Sequence, residues 1–233
     1  GIVAKLAEKD GSVYIRSSKG DIAFWRHYFD LDSDYEAGME LMRRHEYLEL
    51  CAVFGKGIRI LRQDSWEALC SFIISQCNNI PRIKGIVERL CRSFGDKIIF
   101  EGEEYYSFPS YERIALMDAA DLSPLRAGYR AAYIIAAARA VTTGEVDLDM
   151  ASQLSAEEAK KHLKQIDGVG DKVADCAILY GLHITEAFPV DVWMKRALKE
   201  YFPPEFDPKT LGEFAGLAQQ YIFFMTRSTG SGK

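Results

Sequence analysis

The sequence predicts a mainly α-helical protein: two helical lobes with a helix-hairpin-helix motif at the cleft between them, plus a small β element at the N-terminus. Three observations lead there. Apolar residues recur at helical spacing over long stretches, most clearly at Trp66, Leu69, Cys70, Phe72 and Ile73. Period-two alternation is confined to the start of the chain, around Asp10-Gly11. Late in the chain, Gly168-Val169-Gly170 separates two segments of helical character.

Residues 2–6 and 12–16 alternate on either side of Asp10-Gly11, so a β-hairpin opens the chain. Helical character begins over 21–29 and continues as short helices over 35–45 and 47–53. The run 65–76 is strongly amphipathic, as is 80–94, where Pro81 sits in a first turn that does not need its N–H. Residues 100–108 read as a loop or short extended piece, followed by helices over 110–117 and 129–142. Residues 156–165 lead into the glycine turn and 172–181 leave it. Helices over 191–201 and 209–226 finish the fold, Pro203-Pro204 marks the break between them, and 226–233 reads as a frayed tail. The expected domains are 1–30 as the β piece, 64–160 as one lobe, and 31–63 with 161–233 as the other. The second grouping follows because the last helix must bury Phe214, Leu217, Ala218 and Tyr221. The cleft would carry Lys172, Asp191 and Phe223.

The glycine turn has a chemistry of its own. Gly168 and Gly170 can both take positive φ, which lets the backbone reverse sharply, and neither has a side chain to keep another backbone away. The helix that follows starts near Asp171, and its first N–H groups lack intrahelical partners. Those groups and the helix dipole favour an anion such as a DNA phosphate, bound through Gly168, Val169, Gly170 and Val173. A plain helix-to-helix turn is the alternative, since Gly-x-Gly alone is common.

Lys172 sits in the first turn of that helix, where the dipole disfavours a positive charge. A desolvated lysine in such a place loses its proton more readily, and a neutral amine can attack a sugar carbon and form a Schiff base. Asp191 follows Pro189 and precedes the amphipathic run 192–198, so it reads as an N-cap whose charge is held in place. The bland readings are a lysine that touches phosphate and an aspartate that only caps.

Residues 166–176 (IDGVGDKVADC) followed by Phe188-Pro189-Val190-Asp191-Val192 resemble the helix-hairpin-helix DNA glycosylases, and within them the 8-oxoguanine DNA glycosylase/AP lyase branch. The resemblance runs along nearly the whole chain: 63–67 (QDSWE), 71–82 (SFIISQCNNIPR), 87–95 (VERLCRSFG), 127–133 (AGYRAAY) and 215–219 (AGLAQ) match in order. It implies a DNA repair enzyme acting on double-stranded DNA that contains 8-oxoguanine. Lys172 would be the nucleophile, and Asp191 would stabilise charge on the sugar and help proton movement. Cys176, Tyr180, Gln219 and Phe223 would line the lesion-base pocket. Arg82 and Arg130 would read the opposite cytosine, Tyr129 would wedge into the stack, and Asn78 would hold the opened duplex. Such a base must leave the stack, at a cost of a few kcal/mol, and aromatic stacking of about 1–3 kcal/mol per base offsets part of it. The resemblance also allows a structural monovalent or calcium ion on the backbone carbonyls of Lys164, Ile166 and Val169. The sequence departs from the family pattern at Cys77, where relatives carry an asparagine that reads the opposite cytosine, and at Trp193, where some carry a phosphate-binding histidine. Against the family's larger strand-rich start, the first residues read as a remnant of that subdomain.

Composition fits a soluble enzyme, and the resemblance implies an intracellular monomer that works with the DNA. The chain has 233 residues, 48% of them hydrophobic, and a net charge of −5, which argues against a protein that coats DNA nonspecifically. Local basic groups remain, among them Arg82, Lys84, Arg89 and Arg92, then Lys160, Lys161 and Lys164, then Lys195, Arg196 and Lys199. No run is long enough for a membrane span. The five cysteines, Cys51, Cys70, Cys77, Cys91 and Cys176, are scattered, and no four-cysteine cluster follows Asp191, so no iron–sulfur cluster is expected. The four histidines have no zinc spacing, and no cofactor is required. Two other functions stay open from the sequence: a related glycosylase for another lesion, and a noncatalytic hairpin DNA-binding module.

Overall fold

The structure, a computed structural model, describes residues 1–230. It begins with strands β1 (Ala4–Lys9) and β2 (Ser12–Ser17), then helices α1 (Ile22–Tyr28), α2 (Tyr35–Met42), α3 (Glu46–Phe54), α4 (Ser65–Ser75) and α5 (Ile80–Phe94). Strands β3 (Lys97–Phe100) and β4 (Glu103–Tyr106) follow, then α6 (Tyr111–Ala115), α7 (Arg130–Thr142), α8 (Leu148–Ala151) and α9 (Ala156–Leu163). The chain finishes with α10 (Asp171–Tyr180), α11 (Val192–Tyr201) and α12 (Ala215–Gly230). The mainly helical class is as the sequence predicts.

Two compact units divide the chain. The first holds Gly1–His27, Cys70–Val146 and Ile166–Gly168. Its β1 and β2 are antiparallel, with Leu6 opposite Ile15, and the turn residues Asp10 and Gly11 have φ of 52° and 72°, as a two-residue hairpin requires. A second hairpin, β3 with β4, stands where the sequence suggested a loop or short extended piece. Its turn is Glu101-Gly102, with φ of 53° and 79°. Glutamate is an uncommon first residue in such a turn, which hid the hairpin. Lys5 bridges to Glu101 and Glu103 at 3.2 and 3.1 Å, tying the two hairpins together. The helical core of this unit gathers Ile73, Ile74, Ile86, Leu90, Ile114, Leu125 and Ile134, all fully buried.

The second unit holds Tyr28–Leu69, Asp147–Gln165 and Val169–Lys233. Residues 64–69 and 147–160, expected in the other lobe, fall here. For the later stretch the cause is local: the Asp147 N–H donates to His162 Nε2 at 3.0 Å, and the short α8, which sequence periodicity is too brief to reveal, packs on α9. Helix α12 buries Leu217, Ala218 and Tyr221 as expected, and lies so close to α3 that a Cβ on Gly55 would stand 2.5 Å from the Tyr221 ring. Helix α12 runs to Gly230, so the frayed tail expected from 226 is helical to that point, and 231–233 lie outside the described residues. Ahead of it, 208–214 form a 3₁₀ turn with non-helical backbone at Gly212, where φ is 52°.

A buried charge fixes the start of this unit. Asp30 is 4% exposed, ion-paired with Arg62 at 2.9 Å, and accepts hydrogen bonds from Ser33 and Tyr35, both 2.8 Å. Burial pushes its carboxyl up, but those hydrogen bonds and the His183 and Arg62 charges more than offset this and hold it below the usual value. A lowered folded pKa contributes stability that is present above the unfolded value of about 3.9 and lost as pH falls towards the folded one. Asp30→Asn is therefore expected to flatten the acid limb of a melting-temperature profile below about pH 4. An unchanged acid limb would refute the role given to this carboxylate.

Candidate active site

The hairpin is built from both ends. Helix α9 starts with a complete capping box, in which Ser155 and Glu158 satisfy each other's backbone N–H groups. At the turn only one glycine uses its conformational freedom. Gly168 has φ of 84°, and a Cβ there would stand 2.2 Å from the Tyr133 ring, within the first unit. Gly170 is extended, at φ −90° and ψ 179°, so it does not use the positive φ open to it. Gly168→Ala combines a left-handed residue with an overpacked ring and is expected to cost about 2–5 kcal/mol in chemical denaturation. A loss below about 1 kcal/mol would refute that account.

Nothing lies within 4 Å of the position a Gly170 side chain would take, and no side chain caps α10. Val169 and Val173 are buried at 5% and 3% exposure, so what they can offer a phosphate is backbone N–H. Asp171, in the first turn, is neutralised from α9 by Lys164 at 2.8 Å and Lys160 at 3.8 Å. Lys160 also pairs with Asp175 at 3.0 Å, so these basic groups serve the hairpin rather than forming an open patch. Arg89 is likewise structural, donating twice to the Leu125 carbonyl at 3.0 and 2.7 Å.

Lys172, Cys176 and Tyr180 share one face of α10, each four residues from the next. Lys172 is half-buried and hydrogen-bonds Cys176. Burial pushes the Cys176 thiol up to about 11, only partly offset by the Lys172 charge, so it stays neutral. Asp191 caps α11, accepting the Met194 N–H at 2.9 Å, as the sequence predicts. Its carboxylate acts electrostatically on both Cys176 and Tyr180, so the lysine face and the capping aspartate belong to one group of side chains.

Helix α12 supplies a second face. Gly216 lets it approach α10, since a Cβ there would stand 2.3 Å from Leu179 Cδ1. Gln219 is buried at 4% exposure, and its Oε1 accepts from Gln220 Nε2 at 2.7 Å. The same Gln220 nitrogen donates to the Tyr180 hydroxyl. Phe223 is half-buried, with the Arg227 guanidinium 5.9 Å from its ring centre. The sequence reading passed over Gln220, whose only signal is its place beside Gln219.

The remaining candidates lie in the first unit. Arg82 is exposed, and its backbone N–H is capped by Asn79 at 3.0 Å. Asn78 donates to the Ile74 carbonyl at 3.0 Å and accepts the Asn79 N–H at 3.0 Å, closing the end of α4. Tyr129 is 52% exposed, edge-on to Tyr133 at 5.7 Å, a placement suited to a wedge. Arg130 is held within the protein. It is 3% exposed and donates to the carbonyls of Gln76 at 2.9 Å, Cys77 at 3.0 Å and Ala127 at 3.2 Å. Its guanidinium therefore holds the turn after α4, where Cys77 has φ of 45°. Among the described residues no three His, Cys, Asp or Glu side chains converge to hold a metal, and no helix is long and apolar enough to cross a membrane.

The fold and this face together define a helical protein that presents a lysine and a fixed carboxylate beside an uncapped hairpin helix. Known proteins share this fold and much of this sequence. A family model described as 8-oxoguanine DNA glycosylase, N-terminal domain, matches 7–69, and one described as HhH-GPD superfamily base excision DNA repair protein matches 70–213. An N-glycosylase/DNA lyase of Saccharomyces cerevisiae is 40% identical over 156 residues, covering 62% of this chain and 42% of that protein. A DNA-3-methyladenine glycosylase of Bacillus subtilis is 30% identical over 172 residues, covering 73% of this chain and 57% of that one. The matched stretches thus span less than two thirds of either relative. The Clostridium acetobutylicum 8-oxoguanine glycosylase/lyase, solved with DNA containing cytosine opposite 8-oxoG, superposes with a TM-score of 0.88 at 33% identity, covering 97% of this chain and 82% of that one. The chain belongs to the HhH-GPD superfamily of base excision DNA repair proteins.

Proposed function

We propose that this protein is a bifunctional DNA N-glycosylase/AP lyase that excises 8-oxoguanine from duplex DNA through a Schiff base on Lys172. The observation that carries this is the joint placement of Lys172 and Asp191, one in the first turn of α10, the other locked as the cap of α11. The Lys172 amine attacks C1′ of the flipped-out nucleotide. The electrons of the C1′–base bond leave with the base, which takes up the proton that the amine gives. Ring opening then yields the Schiff base, from which elimination breaks the strand on the 3′ side. The Asp191 carboxylate stabilises the positive charge that builds on the sugar. The hairpin N–H groups would hold a phosphate beside the lesion, Phe223 would stack on the base, and Tyr129, Asn78 and Arg82 would keep the gap open. Arg130 serves this reading by shaping the turn that carries Cys77 and Asn78.

The names of the relatives support the reading, as does the exposed ring of Tyr129. A cation on the carbonyls of Lys164, Ile166 and Val169 is part of the proposal: an all-oxygen set suits a hard monovalent or calcium ion, and no chemical step passes through it. The cellular place of action follows from the substrate, genomic DNA, and the working unit is proposed to be the monomer.

The test is incubation with an 8-oxoguanine duplex and borohydride. A covalent protein–DNA adduct and strand nicking are expected. Free base without any adduct would indicate a monofunctional enzyme, and binding alone a noncatalytic module. A second lesion class is favoured by one observation, the similarity to the Bacillus 3-methyladenine enzyme, so alkylated DNA belongs in the same assay.

A further inference from the structure

The amide of Gln220 sits between Tyr180 and Gln219, two residues proposed to line the base pocket. Its Nε2 donates one hydrogen to the Tyr180 hydroxyl and the other to Gln219 Oε1, at 2.7 Å for the latter. A primary amide nitrogen has two hydrogens and no acceptor, so this arrangement uses it completely. It also makes Gln219 Oε1 the acceptor of this pair. With Oε1 turned to Gln220, the Gln219 NH2 is the part of that amide left to face elsewhere. Gln219 is buried at 4% exposure, where a polar group turned the wrong way is costly. Tyr180 in turn is anchored on α10 one turn beyond Cys176, in the electrostatic field of Asp191.

We propose that Gln220 is a positioning residue for base selection: anchored on Tyr180, it orients the Gln219 amide so that the NH2 is offered to the pairing edge of the flipped-out base. This rests on the glycosylase reading above and deepens it. An NH2 donor matches a purine that carries a carbonyl oxygen on that edge, as an oxidised guanine does. It meets a donor head-on where the base carries an exocyclic amine at the same position, as a methylated adenine does. At that one position the contact favours a carbonyl oxygen over an amine.

The proposal is tested with Gln220→Glu and Gln220→Leu, close in size to the native residue, and with Tyr180→Phe, which keeps the ring. Single-turnover excision of 8-oxoguanine is compared with nicking of a preformed abasic site, which needs no base contact. A carboxylate at 220 cannot donate to Gln219 Oε1 and draws the NH2 to itself, reversing the amide. Gln220→Glu is expected to lower base excision about tenfold or more beyond any change in abasic nicking, the size of one lost or inverted hydrogen bond. Gln220→Leu and Tyr180→Phe are expected to show the same split to a smaller degree. Their double variant should lose little beyond the worse single one, because both act through Gln219. Excision and nicking falling in parallel in all three variants would mean a structural role, and unchanged excision by Gln220→Glu would mean none; either overturns the proposal. Failure of the glycosylase reading looks different, as the unmodified protein would then neither excise nor nick.

Discussion

Lys172→Gln is expected to abolish the borohydride-trapped adduct and to lower 8-oxoguanine excision by about 10⁴-fold or more, the scale seen when a nucleophile is removed. Folding should not suffer. Lys172 is half-buried in the first turn of α10, where its charge opposes the helix dipole, and glutamine keeps most of the packing. Removing that charge is expected to leave stability unchanged or to raise it by about 0.3–1 kcal/mol. A substitution that destroys activity while sparing or improving the fold identifies a residue kept against the interest of stability. Its hydrogen bond to Cys176 is a minor loss, because the buried thiol is neutral and a weak acceptor. A variant that keeps the adduct would move the nucleophile to another amine.

Asp191→Asn separates the two roles of the second residue. Asparagine caps a helix about as well as aspartate, so the hydrogen bond to the Met194 N–H should persist and stability should change by less than about 0.5 kcal/mol. The charge is lost, and with it the stabilisation of the developing cation on the sugar. Excision is expected to fall roughly 10²–10³-fold, the usual worth of one electrostatic contact in a transition state. Asp191→Ala should add about 1 kcal/mol of destabilisation for the missing cap. Equal activity of wild type and Asp191→Asn would leave Asp191 a cap only.

The helices were legible because their apolar spacing is regular, and the hairpin because glycine turns and caps have local chemistry. Residues 80–94 and α5 coincide for this reason: Asn79 caps, Pro81 sits in the first turn, and Gly95 ends the helix. Elements set by pairing with a distant segment were less legible. Strand β3 is four residues long and acquires its identity from β4, and α8 is a single capped turn. At the site, Lys172 and Asp191 could be read because each occupies a helix start, a position with a signature. The cysteine and tyrosine of α10 follow from Lys172 by helical spacing. For Arg130 the sequence shows the charge but not its burial under the carbonyls of Gln76 and Cys77. Gln220 was missed because its meaning lies in contacts to Tyr180 and Gln219, the first forty residues away along the chain.

The central claim is that one amine forms the covalent link to the sugar. Trapping the protein on an 8-oxoguanine duplex with borohydride, digesting it and locating the modified residue by mass spectrometry tests this directly. The expected result is a reduced deoxyribose adduct on Lys172. An adduct on any other amine, or excision without an adduct, would contradict it.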